Sequence, residues 1–254
     1  MKLIRTLAGA AALVLASAIG ASATVVTIFD GIAAGRNTFN STVTGAGATV
    51  NNDVWSGIGS GYSVARTDYT ITRNNDGFIS PTGYGSMSGE VVSINPSTSA
   101  PGGSNPRTNP MDYFGSGVTL TFASAVNSIG FEIGDWATCC YGPTTDLFIS
   151  FDDGAPILVA SADEYADGLF PSQADPASIV NELFVAAFDD SGSFTKVSFW
   201  GNGIGEYLVF GGEVRYALLD GGSLPPSAVP LPAGAALLTG GLGMLAAAKR
   251  RRKS

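Results

Sequence analysis

The sequence contains no histidine and only two cysteines among its 254 residues, and basic residues are scarce. Without histidine the chain has no Ser-His-Asp triad, no His-ligated zinc and no histidine pH switch. It also lacks a serine nucleophile motif in the required frame, and its Gly-rich turn at 201–205 is followed by no helix that would make it a phosphate loop. These absences argue against catalysis, and we expect a protein that is not an enzyme.

The two cysteines, Cys139 and Cys140, are adjacent. They match no Cys-x-x-Cys spacing, which disfavours a redox or metal role. In an oxidising compartment neighbouring cysteines are candidates for a vicinal disulfide, with a reduced pair in a loop as an alternative. Cross-linking to another chain is the third alternative, and the sequence leaves all three open.

Positive charge is concentrated at the two ends of the chain. Of 13 Lys and Arg residues, two lie in the first 23 residues and five in 249–253, so the body keeps six against all 21 acidic residues, a net charge of −15. A body this acidic repels nucleic acid phosphates, so we expect no nucleic acid partner.

The N-terminus has the three parts of a secretory signal peptide. Lys2 and Arg5 precede an apolar run at residues 7–19, and small residues occupy the −3 and −1 positions before a cleavage site after Ala23. We therefore expect residues 1–23 to be removed and the mature protein to begin at Thr24.

The body, residues 24–219, alternates apolar and polar residues in short segments separated by Gly-rich turns. Alternation with period two predicts half-buried antiparallel strands, most clearly at 117–122, 126–133 and 146–152, where Asp153-Gly154 supplies a hairpin turn. We expect an all-β protein, an antiparallel β-sandwich of jelly-roll type with about ten strands and no convincing helix.

The pattern also predicts individual strands, turns and loops of the body. Residues 62–73 are expected to form one strand, and 182–188 to pair with 194–200 across a hairpin at 189–193. Residues 207–210 and 213–218 are expected to flank Gly211-Gly212 as two strands. A Pro- and Gly-rich loop at 95–116 interrupts the sandwich, and a linker at 220–228 follows it.

The C-terminal 26 residues, 229–254, combine a short motif, an apolar run and a basic cluster. The run at 234–248 is uncharged and reaches 20 residues when counted from Val229, the length needed to cross a bilayer as a single transmembrane helix. Positive charge after a span stays cytoplasmic, so the body would lie outside that membrane. The basic cluster comprises Lys249, Arg250, Arg251, Arg252 and Lys253.

The motif residues are Val229, Pro230, Leu231, Pro232 and Ala233. With the span and the Arg cluster at the extreme terminus, they resemble the VPLPA variant of the PEP-CTERM sorting signal. The resemblance implies recognition by an exosortase, an integral-membrane enzyme with a catalytic cysteine, during export in a Gram-negative bacterium. It implies a transient inner-membrane anchor, a final place at the cell surface or in the extracellular matrix, and association with exopolysaccharide or biofilm.

An alternative function is carbohydrate binding. Trp136, Tyr141 and Trp200 are candidates for stacking on sugar rings, with core packing as the competing explanation. The loop that contains Trp136 and Tyr141 is the first choice for a surface site. Of these two functions, the surface-sorted protein without catalysis is the main hypothesis.

Acidic pairs in predicted turns are the remaining polar candidates. They lie at Asp152-Asp153, at Asp163-Glu164 with Asp167, and at Asp189-Asp190. Such oxygen-rich loops suit Ca²⁺, although none matches the EF-hand pattern or the RTX nonapeptide, and solvated turn acids are the other interpretation. We expect no other cofactor.

Overall fold

The structure is a computed structural model and describes residues 25–94, 109–138, 145–202 and 207–225. Every pair of neighbouring strands in it is antiparallel. The described strands are, in chain order, β1 (Val25–Gly31), β2 (Asn51–Val54), β3 (Ser63–Ala65), β4 (Tyr69–Arg73), β5 (Val91–Ile94), β6 (Val118–Val126), β7 (Ser128–Gly134), β8 (Thr145–Phe151), β9 (Ile157–Ala162), β10 (Phe170–Pro171), β11 (Ile179–Val180), β12 (Glu182–Asp189), β13 (Phe194–Asn202) and β14 (Leu208–Ala217). The described helices are α1 (Ile32–Gly45) and the 3-10 helices Pro110–Ser116 and Tyr165–Gly168.

Two sheets pack face to face. Sheet I has the order β1-β12-β7-β14-β2, and β5 pairs with β14 alongside β2; sheet II has the order β3-β4-β6-β13-β8-β9. A separate pair is formed by β10 and β11. The expected antiparallel β-sandwich is thereby confirmed in its coarse form.

The core lies between the sheets and is rich in aromatic rings. Phe131 lies 4.7 Å from Phe199 and 4.5 Å from Phe210, measured between ring centroids, and all three rings are buried. Edge-to-face and offset aromatic pairs of this kind contribute about 0.5–1.5 kcal/mol each beyond their buried area. The side chains of β12 alternate between the two faces of sheet I, because Leu183 and Val185 face this core while Phe184 faces the other side.

The expectation that the body contains no helix was wrong. Helix α1 packs on the outer face of sheet I. Its buried residues Ile32, Gly35, Phe39 and Val43 recur every three or four positions, which is the helical period. A Cβ at Gly35 would lie 2.7 Å from the Cβ of Phe184, so glycine permits the close approach of helix and sheet. Weak helix formers such as Gly, Asn, Ser and Thr concealed this helix in the sequence.

The expected hairpin between β12 and β13 was also wrong. β12 pairs with β1 and β7 in sheet I, whereas β13 pairs with β6 and β8 in sheet II. The connection at 190–193 therefore crosses from one sheet to the other, and the Asn127 side chain donates a hydrogen bond to the Gly192 carbonyl there, at 3.0 Å. A short turn between two apolar strands does not distinguish a hairpin from a crossing between sheets.

Other strand boundaries differ from the predicted ones, and each difference has a local cause. Residues 62–73 form two strands, β3 and β4, because the chain turns back where the Arg66 N–H bonds to the Tyr69 carbonyl at 2.7 Å. The two expected strands around Gly211-Gly212 form one strand, β14, with an irregularity between Gly211 and Arg215. The β8–β9 hairpin is confirmed, but its positive φ angles fall at Asp152 and Asp153, one residue earlier than expected.

Candidate functional site

The two tryptophans expected to stack on sugars are both buried, with 0% of each residue exposed. Trp200 faces away from the central core, as expected for a neighbour of Phe199, but the 3-10 helix Pro110–Ser116 covers it. Its indole N–H donates to the Pro110 carbonyl at 2.8 Å, and the Phe114 ring lies 5.1 Å away. The predicted loop at 95–116 therefore contains a structured cover for Trp200.

Trp136 is equally enclosed. Its ring meets the Phe29 ring edge-on at 5.3 Å, and the Asn181 side chain donates to its carbonyl oxygen at 3.1 Å. Enclosed rings offer no face to a sugar, so stacking through Trp136 and Trp200 was a wrong expectation. Tyr141, Cys139 and Cys140 lie outside the described residues, as does the whole predicted sorting signal, with its motif at 229–233, its apolar run at 234–248 and its basic cluster at 249–253.

The predicted turn acids serve as hydrogen-bond acceptors within the fold. Asp152 accepts the main-chain N–H groups of Thr195 and Lys196 at 3.0 and 2.8 Å, and Asp153 forms an ion pair with Lys196 at 2.7 Å. Asp167 accepts the N–H groups of residues 163 and 164. Across the described ranges, no three Asp, Glu, Cys or His residues are grouped so that they could share a metal ion.

A buried polar cluster occupies the outer face of sheet I beside α1. Arg36 of α1 lies 2.6 Å from the Glu213 carboxylate of β14 and 3.6 Å from the Glu132 carboxylate of β7. Both oxygens of Glu132 accept from Ser88, one from the main-chain N–H at 2.7 Å and one from the hydroxyl at 2.6 Å. Burial raises the pKa of Glu132, although Ser88 and Arg36 act in the opposite direction.

The segment 83–89 extends this cluster. Glu182 of β12 accepts the Ser86 N–H at 2.9 Å and also the Ser86 hydroxyl, while the Gln173 amide donates to the Ser86 carbonyl. A Cβ at Gly85 would lie 1.7 Å from the Glu182 carboxylate. The serines and glycines of 83–89 thus pack against the acidic side chains of sheet I. These contacts attach both this segment and α1 to the sheet, and the hydroxyls of Ser86 and Ser88 are donors to carboxylates.

A pocket of about 230 Å³ opens between the two sheets at one end of the sandwich. Sheet I contributes the start of β2 and the end of β14, and sheet II contributes the end of β6 and the turn before β4. The lining residues are Asn51, Asp68, Phe122, Ser124, Ala125, Val126, Tyr216, Ala217 and Leu218.

Three aromatic rings form the inner wall of this pocket or support it. Phe122 lies 5.0 Å from Tyr69 and 5.1 Å from Tyr216, and the Tyr216 hydroxyl donates a hydrogen bond to the exposed carboxylate of Asp68. Burial and the adjacent Asp68 raise the pKa of Tyr216, so its hydroxyl keeps its proton at neutral pH. Asp68 is therefore held at the pocket mouth by a fixed donor.

A chain of hydrogen bonds supports the wall from behind. The Trp55 indole N–H donates to the Tyr69 hydroxyl at 2.7 Å, which in turn donates to Asp53 at 2.7 Å. Asp53 also receives two bonds from Arg66, at 2.8 and 2.5 Å. Burial would raise the pKa of Asp53, but these bonds from Arg66 and Tyr69 outweigh it and leave the pKa below the usual value. The paired, bidentate geometry makes this a rigid support.

Sequence patterns did not single out Asp68, Tyr216 or Asn51. The pocket residues come from four separate segments, and the pairing of β2 with β14 and of β4 with β6 brings them together. No local motif carries that information.

The two ends of the described body lie at the same end of the sandwich as this pocket. Val25, at the start of β1, pairs with Asp189, and Asp190 accepts the N–H of Leu224 at 2.9 Å. Ala217, which lines the pocket, pairs with Ser128, and Ser128 pairs with Phe188 on the same strand as Asp189. The packed body extends to Leu224, so only residues from 225 onward remain of the expected linker.

Among the described residues, no helix is both long and apolar enough to cross a membrane. No protein-family model matches this chain, and no curated protein matches it.

Proposed function

We propose that this chain is an exported cell-surface or matrix protein, sorted by an exosortase-type enzyme, whose β-sandwich has no catalysis of its own. The observation that carries the proposal is the order of three segments in residues 229–254: first the motif, then the apolar run, then the basic cluster. Each segment has a physical role in the proposal. The exosortase-type enzyme recognises the motif, the run spans the bilayer and the positive charges stay on the cytoplasmic side.

The proposal assigns a route to each end of the chain. Residues 1–23 direct export and are removed, and the single C-terminal transmembrane helix anchors the body at the inner membrane until processing at residues 229–233. The body then passes to the surface of a Gram-negative cell, where extracellular polysaccharide is the proposed partner. Its net charge of −15 supports an exposed, soluble body and disfavours nucleic acid.

The position of the chain ends supports this route. The start of β1 and the residue Leu224 both lie beside the Asp189–Asp190 end of β12, so leader and tail would leave from one end of the sandwich. A body attached at a single end can stand on a membrane through either segment without rearranging its sheets. The opposite end of the sheets would then face away from the membrane.

Deletion tests the proposal most simply. Removal of residues 229–254 in a Gram-negative host that carries an exosortase should change the cell fraction in which the protein is found, because the deleted chain lacks both the motif and the anchor. If the cell fraction does not change, the sorting function is wrong.

A pair of double variants separates the motif from the apolar run. Changing Pro230 and Pro232 to Ala leaves the span and basic cluster intact, and should make the unprocessed form accumulate at the inner membrane. Changing Pro225 and Pro226 to Ala is the matched control, since these prolines precede the motif, and should leave processing at the wild-type level.

A further inference from the structure

We propose that the pocket between the sheets, lined by Asp68, Asn51 and Tyr216, binds one neutral sugar unit. This site is independent of the sorting proposal and uses none of the aromatic residues first expected to contact sugar. At about 230 Å³ it is smaller than the roughly 300–1,000 Å³ typical of sites for drug-sized molecules, and its size suits a single ring.

The polar groups of the pocket suit a ligand with several hydroxyl groups. Asp68 and Asn51 are exposed at its mouth, the first with carboxylate oxygens that accept and the second with an amide that both donates and accepts. Ser124 adds an exposed hydroxyl from β6. Leu218 supplies apolar surface for the C–H face of a sugar, since 49% of this residue is exposed.

Charge excludes the acidic alternatives. Among the described residues, those that line the pocket include one acid, Asp68, and no Lys or Arg. A phosphate or carboxylate ligand would meet the negative charge of Asp68, and none of these lining side chains carries a positive charge to offset it, which costs binding free energy. We therefore infer a neutral sugar rather than a uronic acid or a phosphorylated compound.

The aromatic wall disfavours an alkylammonium ligand. Cation–π binding requires the open face of a ring, whereas only 4% of Phe122 and 5% of Tyr216 are exposed. These rings supply a fixed wall, and the ligand is held chiefly through hydrogen bonds at the mouth.

The site is already organised in the free protein. Tyr216 holds Asp68 by a hydrogen bond, and most of the other lining residues sit on paired strands rather than on long loops. A rigid site loses little conformational freedom on binding, so weak hydrogen bonds suffice for measurable affinity. For one sugar ring we expect a Kd on the order of 1 mM.

Saturation-transfer NMR on the full chain tests this proposal. The chain is kept in a zwitterionic detergent, because glycoside detergents would compete for the pocket. Glucose, galactose, mannose and N-acetylglucosamine are the neutral probes, and glucuronate is the anionic one. At least one neutral sugar should bind with a Kd on the order of 1 mM, and glucuronate should bind at least tenfold more weakly than the neutral sugar that binds best, or not at all.

Two variants and one control locate the binding. Asp68→Ala removes the acceptor at the mouth, and Ser124→Trp fills the pocket while residue 68 stays Asp. Both residues are exposed, so the fold should persist, which circular dichroism verifies. Each variant should weaken binding at least tenfold. Asp112→Ala, which removes an exposed acid on the 3-10 helix that covers Trp200, should leave the Kd unchanged.

The proposal is overturned if none of the four neutral sugars binds when it is present at a concentration of ten times the expected Kd. It is equally overturned if binding persists in Ser124→Trp or Asp68→Ala, or if glucuronate binds as tightly as the neutral sugar that binds best. Loss of binding in Asp112→Ala would show that the variants act through charge alone and would also contradict a local site.

Discussion

The Asp190 carboxylate accepts the main-chain N–H of Leu224 at 2.9 Å, and both residues are buried. This contact closes the body against the segment that leads to the tail. Leu224 also belongs to the buried cluster that contains Phe39 of α1 and Ile28 of β1, so the end of the packed body shares a core with the first elements of the fold.

Leu224→Ala should lower the free energy of unfolding by about 2 kcal/mol, because it removes a buried side chain at the border of the α1 cluster. Leu218→Ala is the matched control, since Leu218 is half exposed and should cost less than about 0.5 kcal/mol. Urea unfolding of the two variants checks both values. Equal losses of unfolding free energy in the two variants would mean that Leu224 is not part of the packed body.

Trp200→Ala should destabilise the protein by about 3–5 kcal/mol, because it leaves a cavity between Phe114 and Phe148 and removes the donor to Pro110. Tyr207→Ala, at an exposed aromatic residue, should change stability by less than about 0.5 kcal/mol. Thermal or urea unfolding distinguishes the two. A stable Trp200→Ala variant would contradict the cover formed by Pro110–Ser116.

Gly212→Ala should destabilise the protein by more than about 2 kcal/mol. Gly212 has a φ of +63°, and an added Cβ would lie 2.2 Å from the Glu132 carboxylate, which Ser88 and Arg36 hold in place. Gly59→Ala is the control, because an added Cβ there meets no atom within 4 Å. A difference below about 0.5 kcal/mol between the two variants would show that the polar cluster can move aside.

The pH dependence of stability should differ in sign for two carboxylates. Burial raises the pKa of Glu132 in the folded protein, so its contribution to stability is largest below the unfolded pKa and declines as pH rises toward the folded pKa. Glu132→Gln should therefore gain stability relative to wild type as pH rises from 4 to 7. Urea midpoints at several pH values give this difference.

Asp53 should behave in the opposite way. Hydrogen bonds from Arg66 and Tyr69 overcome the effect of burial and lower its pKa, so its contribution is fully present above the unfolded pKa and is lost as pH falls through the folded pKa. The free energy of unfolding of wild type should exceed that of Asp53→Asn most at pH 7, and this difference should shrink below about pH 4. If the stability differences of the Glu132 and Asp53 variants from wild type changed with pH in the same direction, the opposite pKa shifts of these two carboxylates would be contradicted.

The strands were the predictable part of the fold, since their signal is local. Val118, Leu120 and Phe122 alternate with polar residues, and period two alone places them on the core face. Helix α1 carried an equally regular signal in Ile32, Gly35, Phe39 and Val43, but its composition favours loops. Burial against sheet I overrides that preference, and a single sequence does not display the sheet.

The site was less predictable than the fold. Trp200 lies on the outward side of β13, as alternation predicts, yet the distant segment Pro110–Ser116 covers it. Asp68 and Tyr216 are separated by 148 positions and meet only because the two sheets pack together. Which face of a strand is outward follows from local pattern, but what covers that face depends on tertiary contacts.

Intact-mass measurement of the mature protein tests the central claim most directly. The protein is isolated from a Gram-negative host that carries an exosortase, and its two termini are read from the mass and from terminal peptides. The sorting proposal predicts a chain that begins at Thr24 and has lost the basic cluster Lys249–Lys253 after processing at residues 229–233. A mature chain at the cell surface that still ends at Ser254 would contradict it.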